Sequence, residues 1–340
     1  KRYFVNILVV GAGFAGAVIA RELADDGHIV NVIDQRNHIA GNAYDYTNEH
    51  GIRIHKYGPH LFHTSNKKVY EWITKFGEFV PYYHKVKAQL SDGRYVTLPV
   101  NNETKEIVGE ANIIDTFYRP YTRKMWGMEL EELSDSVTKR IPVRDDNNEL
   151  YFPDDKYQVM PIKGYTALFE NILKHENITV ELNTSFDKSM EDSYDHIFNS
   201  MAIDAYYDYC YGSLPYRSLK FHHTHLPLNK VLPVCTVNFT HSGPYTRITE
   251  WKNLPHHGHN TSMTTLTTEE PCDYKDNNYQ RFYPVKDISG DNQRIHKKYK
   301  DIATNKTTFI GRCGMYVYID MHQAINSSLA VVAKYKESIK

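Results

Sequence analysis

Phe4-Val5-Asn6-Ile7-Leu8-Val9-Val10 runs into Gly11-Ala12-Gly13-Phe14-Ala15-Gly16 and then an apolar stretch to Ala20. This predicts a buried strand, a glycine turn and a helix. Gly11 permits the tight turn, Gly13 lets a pyrophosphate approach the backbone, and Gly16 lets helix and strand pack closely. The helix start then presents free N–H groups and the positive end of its dipole to phosphate. Gly27 stops the helix, Ile29-Val30-Asn31-Val32-Ile33 supplies a second strand, and Asp34 stands where an acid takes ribose hydroxyls. Strand, turn, helix, strand and acid in this order predict a dinucleotide site on a parallel sheet.

The chain has 340 residues, long for one core, so two or three lobes are expected. With 40 basic and 41 acidic residues, no bulk field draws it to nucleic acid or anionic lipid. Cys210, Cys235, Cys272 and Cys313 are far apart and form no Cys-x-x-Cys pair, which favours a reducing compartment. The glycine-spaced stretch from Phe4 to Ala20 has no cleavage site after it, so a cytoplasmic protein without membrane insertion is expected.

Further elements follow from periodicity and turn chemistry. Helices are predicted over Lys67–Phe76, Ile107–Trp126, Tyr165–His175 and Met321–Lys334. Strands are predicted at Lys85–Leu90 and Tyr95–Pro99 around Ser91-Asp92-Gly93-Arg94, and at Ile178–Leu182, Asp195–Asn199 and Thr307–Ile310. Alternation from Leu232 to Thr268 predicts antiparallel strands at 234–239, 245–250 and 262–266. The closing strand, the turn Gly311-Arg312-Cys313-Gly314 and the last helix are expected to aim at the same cofactor as the opening motif.

Past Asp34, Gln35-Arg36 and Ile39-Ala40-Gly41-Asn42-Ala43 extend the nucleotide motif as amine-oxidase-type flavoproteins do, with an arginine for phosphate and a glycine under it. That extension favours FAD over NAD. The run Ile54-His55-Lys56-Tyr57-Gly58-Pro59-His60-Leu61-Phe62-His63-Thr64 resembles the flavin-adjacent segment of the UDP-galactopyranose mutases. The resemblance recurs at 121–127, 139–144, 216–221 and 244–250, and at Gly311-Arg312 with Tyr316, Tyr318, Asp320 and Met321.

The resemblance implies an isomerase that interconverts UDP-galactopyranose and UDP-galactofuranose, or the N-acetylated sugar, through a reduced-flavin N5–sugar adduct with no net redox change. It implies a Rossmann-like FAD-binding domain (1–80, 190–225 and 290–340), a small helical lobe (100–138) and an antiparallel β-sheet substrate domain (82–99, 139–185 and 226–289). A homodimer is implied too. Arg140 would neutralise the leaving diphosphate; His63 would stand beside the flavin; Tyr151, Tyr299 and Tyr318 would contact the diphosphate or line the sugar pocket, and Arg247 would bind substrate. Phe117 and Tyr121, four apart on one predicted helix face, would flank the uracil; Trp126 would pack against the sugar or its phosphates. Gly11, Gly13, Phe14, Ala15, Gly16, Asp34, Gln35, Arg36, Gly41, Asn42, His60, Arg312, Tyr318, Asp320 and Met321 would hold FAD.

Three departures from the family pattern stand out. Thr268-Glu269-Glu270-Pro271 has no arginine where a second diphosphate arginine is usual, and Arg281 is displaced from that place. The stretch between Pro99 and Phe117 is short. Ser200-Met201-Ala202 replaces a Gly-Pro turn. They keep two alternatives open, a flavin oxidase or desaturase on the same scaffold and a non-catalytic FAD or UDP-sugar binder. His222-His223-Thr224-His225 and His256-His257-Gly258-His259 lie outside the matched blocks and are read as exposed loops, with no metal site.

Overall fold

The computed structural model describes residues 4–133 and 143–340. Five parallel strands form its first sheet: β1 (Asn6–Val10), β2 (Ile29–Ile33), β10 (Ile178–Glu181), β11 (His196–Asn199) and β17 (Thr307–Phe309). Their order is β10-β2-β1-β11-β17, so β1 is central and its end faces the glycine turn. Helix α1 (Phe14–Asp25) leaves that turn with Ala17, Val18, Ile19, Ala20 and Leu23 almost fully buried. Small residues there let the helix lie close to the sheet. Burying each large apolar side chain contributes about 1.5–3 kcal/mol.

Seven strands build the second sheet: β7 (Val86–Gln89), β8 (Tyr95–Leu98), β12 (Tyr216–Leu226), β13 (Thr236–Phe239), β14 (Arg247–Glu250), β15 (Thr264–Asp273) and β16 (Tyr283–Pro284). The order is β16-β12-β15-β14-β13-β7-β8, antiparallel except for the parallel pair β13–β7. Between the sheets lie the hairpin of β3 (Asp45–Thr47) and β4 (Arg53–His55), and a small sheet of β5 (Phe62–Thr64), β6 (Phe79–Pro81) and β9 (Tyr157–Pro161).

The helices are α2 (Lys67–Ile73), α3 (Asn102–Val108), α4 (Arg119–Trp126), α5 (Tyr165–Leu173), α6 (Ile203–Tyr206), α7 (Asp291–Asp301), α8 (Gly311–Gly314) and α9 (Met321–Ser338). Helix α9 packs along α1, and Ser328 Oγ donates to Ala15 O at 2.9 Å. The chain's last helix thereby completes the lobe its first strand began.

Four expectations are corrected. Strand β10, assigned above to the substrate domain, is the edge of the parallel sheet, and β12, assigned to the FAD domain, pairs with β15 over ten residues. Apolar strands of both sheets look alike in sequence, so pairing partner alone decides membership. The helix predicted over Ile107–Trp126 is broken: α3 ends at Gly109 with φ +86°, a π-turn covers Ile114–Tyr118, and Pro120 opens α4. Finally, His222, His223 and His225 lie on β12 rather than in a loop, and His257 is 1% exposed.

Candidate active site

The nucleotide end is set by backbone approach. Gly11 has φ +106°, and a Cβ there would fall 2.0 Å from Ser200 Oγ. Ser200 itself donates from Oγ to Val10 O at 2.7 Å, so this departure from Gly-Pro closes the end of β1. A Cβ on Gly16 would fall 2.0 Å from Gly11 O. Gly41, at φ +54°, brings its backbone to the backbone of Gly13, where a Cβ would meet Gly13 Cα at 2.8 Å. Two chain segments without side chains thus leave a cradle a methyl group would fill, at the start of α1. Ala40, at φ 76° and 1% exposed, tolerates the left-handed turn that a glycine would take more easily.

Asp34 holds the turn: its Oδ2 accepts from Ala12 N and its Oδ1 from Arg36 N, both at 2.9 Å. Arg36 donates to Asn42 Oδ1 at 2.9 Å and lies 4.1 Å above the Tyr57 ring, fixed rather than solvated. Gln35 is exposed, and Phe14 turns into the core against Phe169. Gly311, φ +74°, comes against Ala15, so the C-terminal turn meets the start of α1 as expected. Asp320 caps α9 through a reciprocal box with Gln323, and Met321 packs on the main core.

The histidine segment crosses between the two sheets. His60 N donates to His55 Nδ1 at 2.9 Å, so His55 carries its proton on Nε2 and gives it to His257 Nε2, also at 2.9 Å. His257 Nδ1 in turn donates to Pro255 O. This neutral chain fixes the backbone beside His60. Burial pushes the His60 imidazole down to about 4, although its bond to Gly58 O opposes this; the Arg312 and Arg247 charges add to the lowering.

A second group of polar and aromatic side chains gathers near Arg247. Its Nε donates to Glu269 Oε2 at 2.6 Å. Burial works against its charge, but Glu269 more than offsets this and holds it above the ordinary arginine range. The field of that charge reaches Tyr121, Tyr151, Tyr283, His60 and His84. Tyr283 stacks on Tyr318 with centroids 5.3 Å apart, and Trp126 meets Tyr283 edge-on. Arg312 lies 4.8 Å from the Tyr318 ring and donates to Phe282 O and Ile319 O, so it fixes the loop. Beside them, His63 stacks on Phe152 at 3.5 Å, and its Nδ1 lies 2.5 Å from Asp155 Oδ2. His63, Asp320 and His322 also stand close together.

Helix α4, which carries Tyr121, is pinned at its C-terminal end. Lys124 Nζ donates to Phe239, His241 and Tyr245 carbonyls, each at 2.9 Å, and burial lowers its pKa to about 8. Arg217 donates to Met125 O and Lys124 O.

Two expected site residues lie elsewhere. Tyr299 is fully buried with Tyr216, Tyr274 and Tyr316, and its hydroxyl donates to Gly212 O and accepts from Tyr211 N. Phe117 is 7% exposed among Ala88, Val96 and Ile113 while Tyr121 is 38% exposed, so the two do not flank one base. The π-turn between them breaks the four-residue spacing. The displaced Arg281 sits against the Tyr274 ring at 4.9 Å and donates to Tyr209 Oη, away from the Arg247 group. Arg140 lies outside the described residues.

Glu269, Tyr283, Asp155, Phe152, His84 and His322 were not assigned from sequence. Of these only Glu269 stood in a stretch singled out in the sequence, that of the missing arginine.

A family model described as UDP-galactopyranose mutase matches residues 116–318, and one described as an NAD(P)-binding Rossmann-like domain matches 9–76. A probable UDP-galactopyranose mutase of Klebsiella pneumoniae is 34% identical, covering 98% of this chain and 95% of its own. A dTDP-fucopyranose mutase of Escherichia coli is 36% identical over 98% of this chain and 99% of its own. Both alignments, 377 and 381 positions, exceed 340, so these relatives carry stretches without a counterpart here. The crystal structure of a reduced UDP-galactopyranose mutase superposes with a TM-score of 0.74, at 15% identity, over 97% of this chain and 93% of that one.

Proposed function

The chain belongs to the UDP-galactopyranose mutase family, and from that membership we propose that it interconverts the pyranose and furanose forms of a nucleotide-linked sugar, with FAD as cofactor. The fit of FAD rests on the Gly13–Gly41 approach at the start of α1, with Arg36 held over Tyr57 next to it. When bound and reduced, FAD supplies an electron-rich ring that lets the glycosyl–phosphate bond open without net redox.

The observation that carries the reading is the Arg247 guanidinium, held by Glu269 and partly exposed, whose field reaches the phenols of Tyr121, Tyr151 and Tyr283. A diphosphate that leaves and returns needs a fixed positive charge and neutral donors that do not repel it. Arg247 supplies the charge, and Tyr121, Tyr151 and Tyr318 supply O–H donors. Arg140 is assigned the leaving-group contact on sequence alone. His63, held by Asp155 and Phe152, presents a fixed imidazole edge to the sugar side. An apolar substrate gives such groups nothing to bind, which disfavours the oxidase alternative.

The galactose sugar, plain or N-acetylated, is the first substrate of this proposal. The dTDP-fucopyranose mutase relative favours a second, a thymidine-linked 6-deoxy sugar. Dithionite-reduced protein is given UDP-galactofuranose, its N-acetylated analogue and dTDP-fucofuranose in turn, and pyranose is measured by chromatography. Conversion of any one supports the proposal and identifies the sugar. Flavin bound without conversion of any overturns it in favour of a non-catalytic binder. Arg140→Ala is expected to abolish turnover and keep the yellow colour.

The homodimer and the cytoplasmic location belong to the same proposal, supported by the resemblance and, for the latter, by cysteine usage. Among the described residues no helix is long and apolar enough to cross a membrane.

A further inference from the structure

The nucleotide-sugar reading leaves one histidine group unused, where the β3–β4 turn meets the far end of β12. His50 Nε2 lies 3.6 Å from Glu49 Oε1, and His225 Nε2 lies 3.8 Å from the same oxygen. The imidazole rings are 4.6 Å apart, and the three ligand atoms all fall within 4.8 Å of one another. A tetrahedral zinc ion with bonds of about 2.0–2.1 Å holds its ligand atoms roughly 3.3–3.4 Å apart. The two Glu49 pairs need to close by a few tenths of an ångström and the histidine pair by at most about 1.4 Å, a movement open to side chains exposed by 29% and 32% for the histidines and 70% for Glu49.

The surroundings are braced as a site needs. Asn48 Oδ1 accepts from His50 N and Ile52 N, each at 3.0 Å, which fixes the turn. Asn48 Nδ2 donates to Thr265 Oγ1 at 3.0 Å, and the same hydroxyl lies 2.9 Å from His225 Nδ1. His225 stands directly opposite Thr265 in the β12–β15 register. One hydroxyl therefore ties both ligand-bearing segments together and leaves His225 Nε2 directed at Glu49. Ligating imidazoles are held through their other nitrogen in this way.

We propose that Glu49, His50 and His225 form a binding site for a divalent transition ion of the zinc type, which clamps the β3–β4 turn onto the seven-stranded sheet. Two imidazoles and one carboxylate suit zinc, and a water completes the tetrahedron. The proposal is independent of the sugar reaction.

The test titrates the full chain, stripped with chelator, with Zn²⁺ against a chromophoric chelator, and follows thermal melting in parallel. One ion per chain is expected, with a melting temperature that rises on addition of zinc. His50→Ala and His225→Ala should each weaken binding by more than about tenfold and remove the thermal shift. His223→Ala is the control, since His223 Nδ1 bonds Thr267 Oγ1 and its ring lies outside the triad; it should bind as the parent does. All three positions lie at the surface, so folding is retained. No saturable binding, or saturable binding untouched by either the His50 or the His225 variant, overturns the proposal.

Discussion

Arg247 Nε and Glu269 Oε2 are 2.6 Å apart, and the carboxylate side chain is 2% exposed while the arginine side chain keeps 31%. One partner is sealed in the sheet and the other still faces the site. Glu269 on β15 therefore aims and neutralises the inner edge of a guanidinium whose outer edge is free for an anion. Arg247→Ala leaves Glu269 buried without a partner and is expected to cost about 2–3 kcal/mol in chemical denaturation, the low end for such pairs because the arginine is partly wet. The double variant Arg247→Met with Glu269→Leu should recover most of that stability while turnover stays lost. Recovery of turnover in the double variant would remove Arg247 from the substrate site.

Gly41 is sensitive to a single methyl. Its positive φ and the 2.8 Å that would separate a Cβ from Gly13 Cα make alanine both strained and obstructive. Gly41→Ala is expected to yield folded protein with a reduced ratio of 450 nm to 280 nm absorbance. A full complement of flavin in that variant would show that the Gly13–Gly41 cradle does not hold it.

Asp155 is a positioning residue for His63. Its carboxylate accepts a hydrogen bond from Nδ1–H, and Phe152 packs the ring from one face, so the imidazole has one orientation and one tautomer. Asp155→Leu should lower kcat by about tenfold to a hundredfold with KM for the nucleotide sugar and flavin content little changed. Asp155→Asn, whose oxygen still accepts that proton, should recover part of the loss. A purely structural role predicts falling flavin content instead.

Acid sensitivity follows from two buried imidazoles. Burial pushes His84 down to about 3, with the Arg247 charge adding to it, and burial likewise takes His257 to about 3. The unfolded chain binds these protons near pH 6.5, whereas the folded chain does not until about pH 3. Stability is thus complete above pH 6.5 and falls as the pH drops, by about 1.4 kcal/mol per unit for each histidine. Urea unfolding at pH 7.5 and 5.5 should differ by roughly 2–3 kcal/mol from this pair. His84→Gln should remove about half of that difference, and an unchanged difference would refute the assignment.

The opening motif was legible because its constraints are local. Gly11, Gly13, Gly16 and Asp34 act through turn conformation and backbone contact within one strand–helix–strand unit, and spacing alone places them. The same holds for the turn between β7 and β8, where Ser91-Asp92-Gly93-Arg94 stands between two alternating strands. Tyr121, Tyr151, Arg247 and Tyr318 were singled out only through family likeness, since 27 tyrosines give no local reason to choose among them.

Sequence alone settled that a parallel nucleotide sheet begins this chain, since hydrophobic period and glycine geometry are properties of neighbouring residues. Tertiary structure decided the rest: that Glu269 faces Arg247, that Arg281 is enclosed by tyrosines, that Tyr299 packs inward and that His225 reaches Glu49. The Glu269 and His225 contacts depend on strand pairing, and those of Arg281 and Tyr299 on packing between segments far apart in the chain. A shift of one residue in that register turns a side chain to the opposite face, and no local pattern records which register forms.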